Sequence, residues 1–158
     1  MTKNRTNSEP DVETVVSVIT PAFNAARRLR DCVASIRSQS FENWEHLVVD
    51  DGSTDATWAL LEELKAQDAR LRTIQQANAG PGAARNAAMK AASGRYFAFL
   101  DADDRATPHR LATQVAFLDE HTEVHVLGGA IVIMVVYLEA RASRREGRSD
   151  QLDSRLKG

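Results

Sequence analysis

The sequence predicts an α/β domain, an open and mainly parallel sheet with helices on both faces. Four short runs of aliphatic, β-branched and aromatic residues suit strands covered on both sides: Val15-Val16-Ser17-Val18-Ile19, His46-Leu47-Val48-Val49, Leu71-Arg72-Thr73-Ile74 and Tyr96-Phe97-Ala98-Phe99-Leu100. Stretches with helical spacing separate these runs, and strand-helix alternation argues for parallel pairing through right-handed crossovers. The polar motifs follow the strands, at the carboxyl ends where open α/β sheets bind ligands.

The first run leads into Thr20-Pro21-Ala22-Phe23-Asn24, a proline turn that carries an aromatic ring and an amide past the sheet edge. From this segment alone Phe23 suits either a platform for a base or a hydrophobic staple on the next helix. Leu29, Val33 and Ile36, at i, i+4 and i+7, form the apolar stripe of that helix, with Cys32 as a small buried residue in it. The second run ends in Asp50-Asp51-Gly52-Ser53-Thr54-Asp55. Gly52 permits a tight turn, and Thr54 or Asp55 caps a helix holding Trp58, Leu61 and Leu64. One of Asp50 and Asp51 is left to accept an N–H from a ligand, such as a uracil-like base edge.

After the third run, Asn78-Ala79-Gly80-Pro81-Gly82-Ala83-Ala84-Arg85-Asn86 opens an alanine-rich helix whose small residues allow close approach to the sheet. The N-terminus of that helix, together with Arg85, favours a phosphate. Arg85 stands where a dinucleotide fingerprint has its third glycine, and the loop follows the third strand, so this is neither that fingerprint nor a P-loop. Gly94 is expected to stop the helix, and Thr107-Pro108 to cap the next one, whose stripe is Leu111, Val115 and Leu118.

The fourth run ends in Asp101-Ala102-Asp103-Asp104. Clustered anions repel one another unless something cationic sits among them, and oxygen ligands in such a cluster suit Mg²⁺ or Mn²⁺ completed by substrate phosphates. Asp101 and Asp103 carry that reading, whereas Asp104 suits a cap or a solvated loop acid. His121 and His125 lie four apart with no third ligand in view and are read as a turn between a helix end and a short strand. His109 is read as a solvated residue of a first helical turn. With the aromatic turn, the base-reading acid and the cationic helix entry, the acid pair composes a site for a nucleoside diphosphate with a divalent ion.

Bulk properties bound the classes of function. At 158 residues, 43% hydrophobic and 27% charged, the chain fits one globular domain with a core. A net charge of -2 and a pI near 6.1, with scattered cations, argue against a nucleic-acid partner. The single Cys32 excludes an internal disulfide and fits a reducing compartment. Residues 1–14 are polar without the apolar core of a signal peptide, and the apolar run 126–138 is too short to span a bilayer as a helix. The expected location is cytoplasmic, including peripheral association with the inner membrane face. Arg144, Arg145 and Arg148 are read as part of a solvated tail rather than a contact for anionic lipid.

The four motifs, Val16 to Asn24, Val48 to Asp55, Gly80 to Asn86 and Phe99 to Asp104, resemble those of the family 2 glycosyltransferases, which have the Rossmann-like GT-A fold of nucleotide-diphospho-sugar transferases. The resemblance implies that Thr20, Pro21, Ala22, Phe23 and Asn24, with Asp50 and Asp51, hold the nucleoside. It implies that Gly80 belongs to the nucleotide-sugar site and that Arg85 serves the donor's diphosphate side. Asp101-Ala102-Asp103 would be the DxD motif for donor and Mn²⁺ or Mg²⁺, with Asp101 and Asp103 as metal ligands and Asp103 foremost. The implied reaction is inverting transfer of a sugar to a hydroxyl acceptor, glycan or lipid-linked, in cell-envelope polysaccharide biosynthesis.

The reaction also needs a general base, which the family takes from an acceptor-facing second half of the domain. No such motif is found after Gly128-Gly129, so the chain reads as a truncated, donor-binding half. The expected organisation is a polar tail over 1–14, the nucleotide-sugar-binding domain over 15–130 and a divergent, disordered segment over 131–158. A sheet ending at the fourth strand would leave an unpaired edge beside the acids and promote oligomers through it. Two other readings stay open at this point: an inactive nucleotide-sugar-binding fragment, and a Mg²⁺-dependent phosphoacceptor domain using Asp50 and Asp51.

Overall fold

The computed structural model describes residues 14–128 and 133–136. In chain order the elements are β1 (Val16–Ala22), α1 (Leu29–Arg37), β2 (Trp44–Asp51), α2 (Thr57–Lys65), β3 (Leu71–Gln76), α3 (Pro81–Ala91), β4 (Tyr96–Phe99), α4 (Arg110–Glu120), β5 (Val126–Gly128) and β6 (Ile133–Val136). They form a sheet ordered β3-β2-β1-β4-β6-β5. The first four of these strands are parallel, as the alternation predicts; β6 pairs antiparallel with β4, and β5 antiparallel with β6.

Alternation along the buried strands sends side chains to two cores. Val16, Val18 and Ala98 pack with Cys32 and Ile36 of α1 and Leu111, Val115 and Leu118 of α4. Val48 joins Leu29 and Val33 of α1 and Leu61 and Leu64 of α2 on the same side. The opposite face, with Ile19, Leu47, Val49 and Phe97, is covered by Ala84 and Ala88 of α3. Alanines at the contact let this helix backbone lie close to the strands, as their spacing predicts.

β1 extends past its apolar run through Thr20, Pro21 and Ala22, which pair only with β2 because the register with β4 ends at Ile19 and Phe99. A proline is tolerated where a strand is bonded on one side only. Three local expectations shift. The helix before β4 ends at Ala91, so Gly94 does not stop it; a Cβ on Gly94 would stand 2.6 Å from the Ser17 nitrogen, and the glycine is there for close approach to β1. Thr107-Pro108 precedes α4 as a turn, its Thr107 carbonyl accepting from the Arg110 N–H at 3.1 Å, and the helix starts two residues after the proline. Of the two candidate caps for α2, Asp55 is the one whose carboxylate accepts the Thr57 N–H, at 2.9 Å.

The expected unpaired edge at the fourth strand is absent, because β6 covers β4 from Tyr96 to Ala98. Residues 133–136 thus belong to the sheet although they lie in the segment read as divergent and disordered; the rest of that segment from 137 on, with Arg144, Arg145 and Arg148, and residues 1–13 lie outside the described residues. No helix among the described residues is long and apolar enough to cross a membrane.

Two buried polar groups are satisfied inside the sheet. Glu45 accepts from the Ser17 hydroxyl at 2.6 Å, from the Ser93 N–H at 2.6 Å and from Arg72. Burial opposes its charge, yet these bonds keep the carboxyl below its ordinary value. His46 is buried, with Nε2 at 2.9 Å from Thr20 Oγ1, and burial pushes its pKa down to about 3, with Arg37 adding to the effect.

Because folded His46 stays neutral while the unfolded imidazole takes a proton near its ordinary value, stability should fall as pH drops below about 6.5, by at most about 1.4 kcal/mol per unit from this group. Urea titrations at pH 7, 6 and 5 should show that decline, and His46→Gln should flatten it; equal slopes in both proteins would refute the assignment. Gly94→Ala should cost about 1–3 kcal/mol, the range for overpacking a tight contact, read as a lower urea midpoint with unchanged slope.

Candidate functional site

The strand order reverses between β1 and β4: β2 and β3 extend the sheet to one side of β1, and β4 starts the other. At such a switch point an open α/β sheet leaves a crevice outside the carboxyl ends of its strands. A cavity of about 810 Å³ lies there, walled by Pro21, Ala22, Phe23 and Asn24 from β1 and its turn, Ala25, Arg27 and Arg28 before α1, Asp51 from β2, Asn78, Gly80, Pro81 and Arg85 from the glycine loop and α3, and Asp101, Ala102 and Asp103 after β4. The four motifs therefore meet in one cavity.

Thr20 and Asp50 do not reach it. Thr20 alternates into the core, where its hydroxyl meets His46. Asp50 is fully buried and accepts from the Ser53 N–H at 3.2 Å and from Gln75 Nε2 at 3.1 Å, so it fixes the turn after β2 rather than facing a ligand. Phe23 is 52% exposed and belongs to none of the three apolar clusters, which favours the platform over the staple. Asn24 sits in the left-handed region at φ 50; its N–H donates to Ser53 Oγ at 2.9 Å and its Oδ1 accepts the Thr54 N–H at 2.9 Å. That exchange ties the β1 turn to the β2 turn.

Asp51 reaches the cavity, but its acceptor capacity is largely spent. Oδ1 accepts from Gln76 Nε2 at 2.7 Å and from the Ala79 N–H at 2.9 Å, and Oδ2 accepts from the Gly80 N–H at 2.8 Å. Burial opposes the charge, yet the bonds from Ala79, Gln76 and Gly80 hold the carboxyl below the usual carboxylate range. The neighbouring Gly52, at φ 73, leaves no room for a side chain: a Cβ would stand 2.7 Å from the Asn78 nitrogen. The Ala79 and Gly80 amides, just ahead of α3, are thus given to Asp51, and Arg85 of α3 lines the cavity beyond them.

Arg85 donates from NH2 to Asp101 Oδ1 at 2.6 Å, across the cavity from α3 to the tip after β4. The Asp104 N–H closes a turn on the Asp101 carbonyl at 3.0 Å. Within that turn Asp101 and Asp103 are exposed, while Ala102 between them is buried with Leu29 and Val33. A small apolar residue therefore pins the tip, and the alternation leaves both carboxylates on the cavity wall. Below them Cys32 donates to the Asp101 carbonyl at 3.6 Å; burial pushes this thiol up to about 12, so it stays neutral as expected of a packing residue.

The donor set fits a hard divalent ion. Asp101 and Asp103 offer oxygens, and no group of three His, Cys, Asp or Glu side chains stands close enough to hold a metal among the described residues. Two carboxylates leave most of an octahedral shell to phosphate oxygens and water, which is how Mg²⁺ is ordinarily held beside a phosphate substrate. His109 is off this wall, with Nδ1 at 3.0 Å from Ser40 Oγ. His121 is the C-cap of α4, stacked on Phe117 at 4.1 Å with Nδ1 at 2.9 Å from the Phe117 carbonyl, and the turn over Thr122 and Glu123 follows it towards β5, as expected.

Sequence reasoning missed Arg27, Arg28 and Asn78 on the wall, and Arg110 behind it. Arg110 is buried, donating from NH2 to the Phe99 carbonyl at 3.0 Å and from Nε to Gln114 at 3.1 Å, and burial lowers it to about 10. The Arg110/Gln114 spacing of four was a visible signal for that pair. Exposed arginines at a helix entry carry no pattern of their own.

The comparisons agree with this geometry. The family model for Glycosyl transferase family 2 matches residues 17–157, running past the last recognisable motif. TuaG of Bacillus subtilis (strain 168), named for teichuronic acid biosynthesis, is 41% identical over 109 residues, 68% of this chain and 43% of that protein. The glycosyltransferase GlyA of Streptococcus pneumoniae serotype 4 is 43% identical over 93 residues, 59% of this chain and 13% of its own. The chain thus spans less than half the length of these curated relatives. Among solved structures, S. aureus TarS 1-349 in complex with UDP superposes with a TM-score of 0.64 at 35% identity, over 68% of this chain and 33% of that 1-349 chain. The mannosyltransferase PcManGT of Pyrobaculum calidifontis, in complex with GDP-Man and Mn²⁺, shares the fold with a TM-score of 0.65 at 22% identity, over 85% of this chain and 48% of its own. The fold is of the GT-A type, and the chain belongs to glycosyl transferase family 2.

Proposed function

We propose that this chain supplies the donor site of an inverting glycosyltransferase that takes a nucleoside diphosphate sugar with Mn²⁺ or Mg²⁺ and passes the sugar to a hydroxyl acceptor. The observation that carries the reading is the meeting of Phe23, Asp51, Arg85, Asp101 and Asp103 around one cavity at the switch point. The base packs on Phe23, between the turns clamped by Asn24. Arg85 turns its guanidinium to the diphosphate, a charge-assisted contact with bidentate geometry. Asp101 and Asp103 would hold the divalent ion, which would supply positive charge beside the diphosphate.

In the transfer, the acceptor oxygen bonds to the anomeric carbon as the bond from that carbon to the diphosphate oxygen breaks, and the acceptor proton goes to a base outside the residues assigned here. Family membership and the complexes of TarS with UDP and UDP-GlcNAc support a nucleotide-sugar donor. The name of TuaG supports a place in cell-envelope polysaccharide biosynthesis, and the proposal puts the chain on the cytoplasmic side of the membrane. The phosphoacceptor reading loses its support, since Asp50 is buried with its oxygens engaged and the cavity wall holds no lysine.

Calorimetry with UDP and GDP should show binding that requires Mn²⁺ and weakens at least about tenfold in Asp103→Asn, the loss expected for a charged ligand. Metal-dependent binding that survives the substitution unchanged would remove the acid tip from the site. Phe23→Ala should weaken nucleoside diphosphates by about 1–3 kcal/mol, a typical stacking contribution, and leave inorganic pyrophosphate unaffected; equal loss for both ligands would place the base elsewhere.

A further inference from the structure

We propose that Arg110 is a positioning residue for the divalent ion and the diphosphate: its guanidinium clasps the end of β4 to the start of α4 and so fixes the loop that carries Asp101 and Asp103. The inference rests on the reading of the cavity as a site for a nucleoside diphosphate with its metal. Its ground is the place where β4 loses its neighbours. The register of β4 with β1 ends at Ile19 and Phe99, and that with β6 at Met134 and Ala98, so the backbone leaves both ladders just before the acids. There the Phe99 carbonyl accepts from Arg110 NH2 at 3.0 Å. One side-chain bond thereby ties the two ends of segment 100–109, which holds the acid tip.

The rest of the segment is anchored to α1 instead of to the sheet. The Ala106 N–H donates to the buried Ser35 hydroxyl at 3.0 Å, and the Thr107 carbonyl accepts from Gln39 Nε2 at 2.7 Å. Arg110 is what joins that anchored end back to β4. It is 8% exposed, its Nε is fixed on Gln114 Oε1 at 3.1 Å, and its NH1 is buried with no acceptor among the described residues. No carboxylate among the described residues pairs with it, and its lowered pKa comes from burial. A cation buried with so little compensation costs stability, and packing alone would be served by an apolar side chain of similar length. What the guanidinium adds is a rigid fork that holds two acceptors at once, the Phe99 carbonyl and Gln114. Two carboxylates that must meet one ion need such support, because a displacement on the order of 1 Å is enough to loosen a bound group.

Uridine and inorganic pyrophosphate separate a positioning role from a general one, because uridine probes the base side alone and pyrophosphate with Mn²⁺ the acid tip alone. In the full chain, Arg110→Met should weaken pyrophosphate with Mn²⁺ by about tenfold, the scale of one hydrogen bond to a charged group, and leave uridine unchanged. Amide hydrogen exchange should accelerate from Leu100 to Asp104 while the β1 and β2 core amides stay protected, which a global loss of stability would not produce. Arg110→Lys keeps one donor within reach of the Phe99 carbonyl and should bring pyrophosphate back to within about threefold of the unsubstituted chain. Gln114→Met keeps the arginine but frees its Nε; it should weaken pyrophosphate in the same direction, with uridine untouched, and it decides the matter if Arg110→Met does not fold. Equal losses for uridine and pyrophosphate, or unchanged pyrophosphate binding, would overturn the proposal. Unchanged exchange from Leu100 to Asp104 would overturn it too. If the unsubstituted chain binds neither UDP nor pyrophosphate with Mn²⁺, the diphosphate reading fails, and the exchange measurement alone still decides whether Arg110 clasps the loop.

Discussion

Parallel pairing of β1, β2, β3 and β4 is the constraint on which the rest of the molecule depends. Strands running the same way place every carboxyl end on one rim, and each crossover helix must return beneath that rim to start the next strand. α1, α2 and α4 lie on one face and α3 on the other, and the cavity opens at the rim where the strand order reverses between β1 and β4. The polar chemistry of the chain follows from this geometry. Turn residues at four separate places in the sequence become neighbours with no bond between them other than side-chain clamps.

Those clamps are polar, and the two buried carboxylates among them, Asp50 and Asp51, are matched to donors. Asp50 fixes the β2 turn, Asp51 the glycine loop, Asn24 the first two turns to each other, and Arg110 the end of β4. Burying unmatched groups of this kind would be costly, so their satisfaction is what makes a rim of irregular backbone rigid enough to bind. Small residues perform the complementary task where backbone must meet backbone. Gly94 lies against β1, Gly52 against Asn78, Ala84 and Ala88 against the sheet, and Ala102 anchors a turn whose flanking acids stay exposed.

The antiparallel strand β6 changes the character of the sheet beyond the site. It turns β4 from an edge into an interior strand, so that the acid tip sits over paired backbone instead of at an exposed border. Antiparallel additions at the margin of a parallel sheet are common, and they need only a short connection from β5. The outer edges among the described residues are then β3 and β5, away from the acids.

Sequence alone determined the order of the first four strands and four helices, the parallel class of the sheet and the four motifs that reach its rim, because burial on both faces and the 3.6-residue period are written in local residue types. Only the tertiary structure decided which acids are free. Asp50 and Asp51 are chemically identical neighbours, and a half-turn of the strand sends one into the core and the other to the loop of a helix 29 residues later. It likewise decided that β6 closes the edge at β4, and that Gly94 serves a contact with β1 rather than the end of a helix. In each case the deciding partner lies far along the chain, and a side chain's acceptors, or the space beside a Cα, are fixed only when that partner arrives.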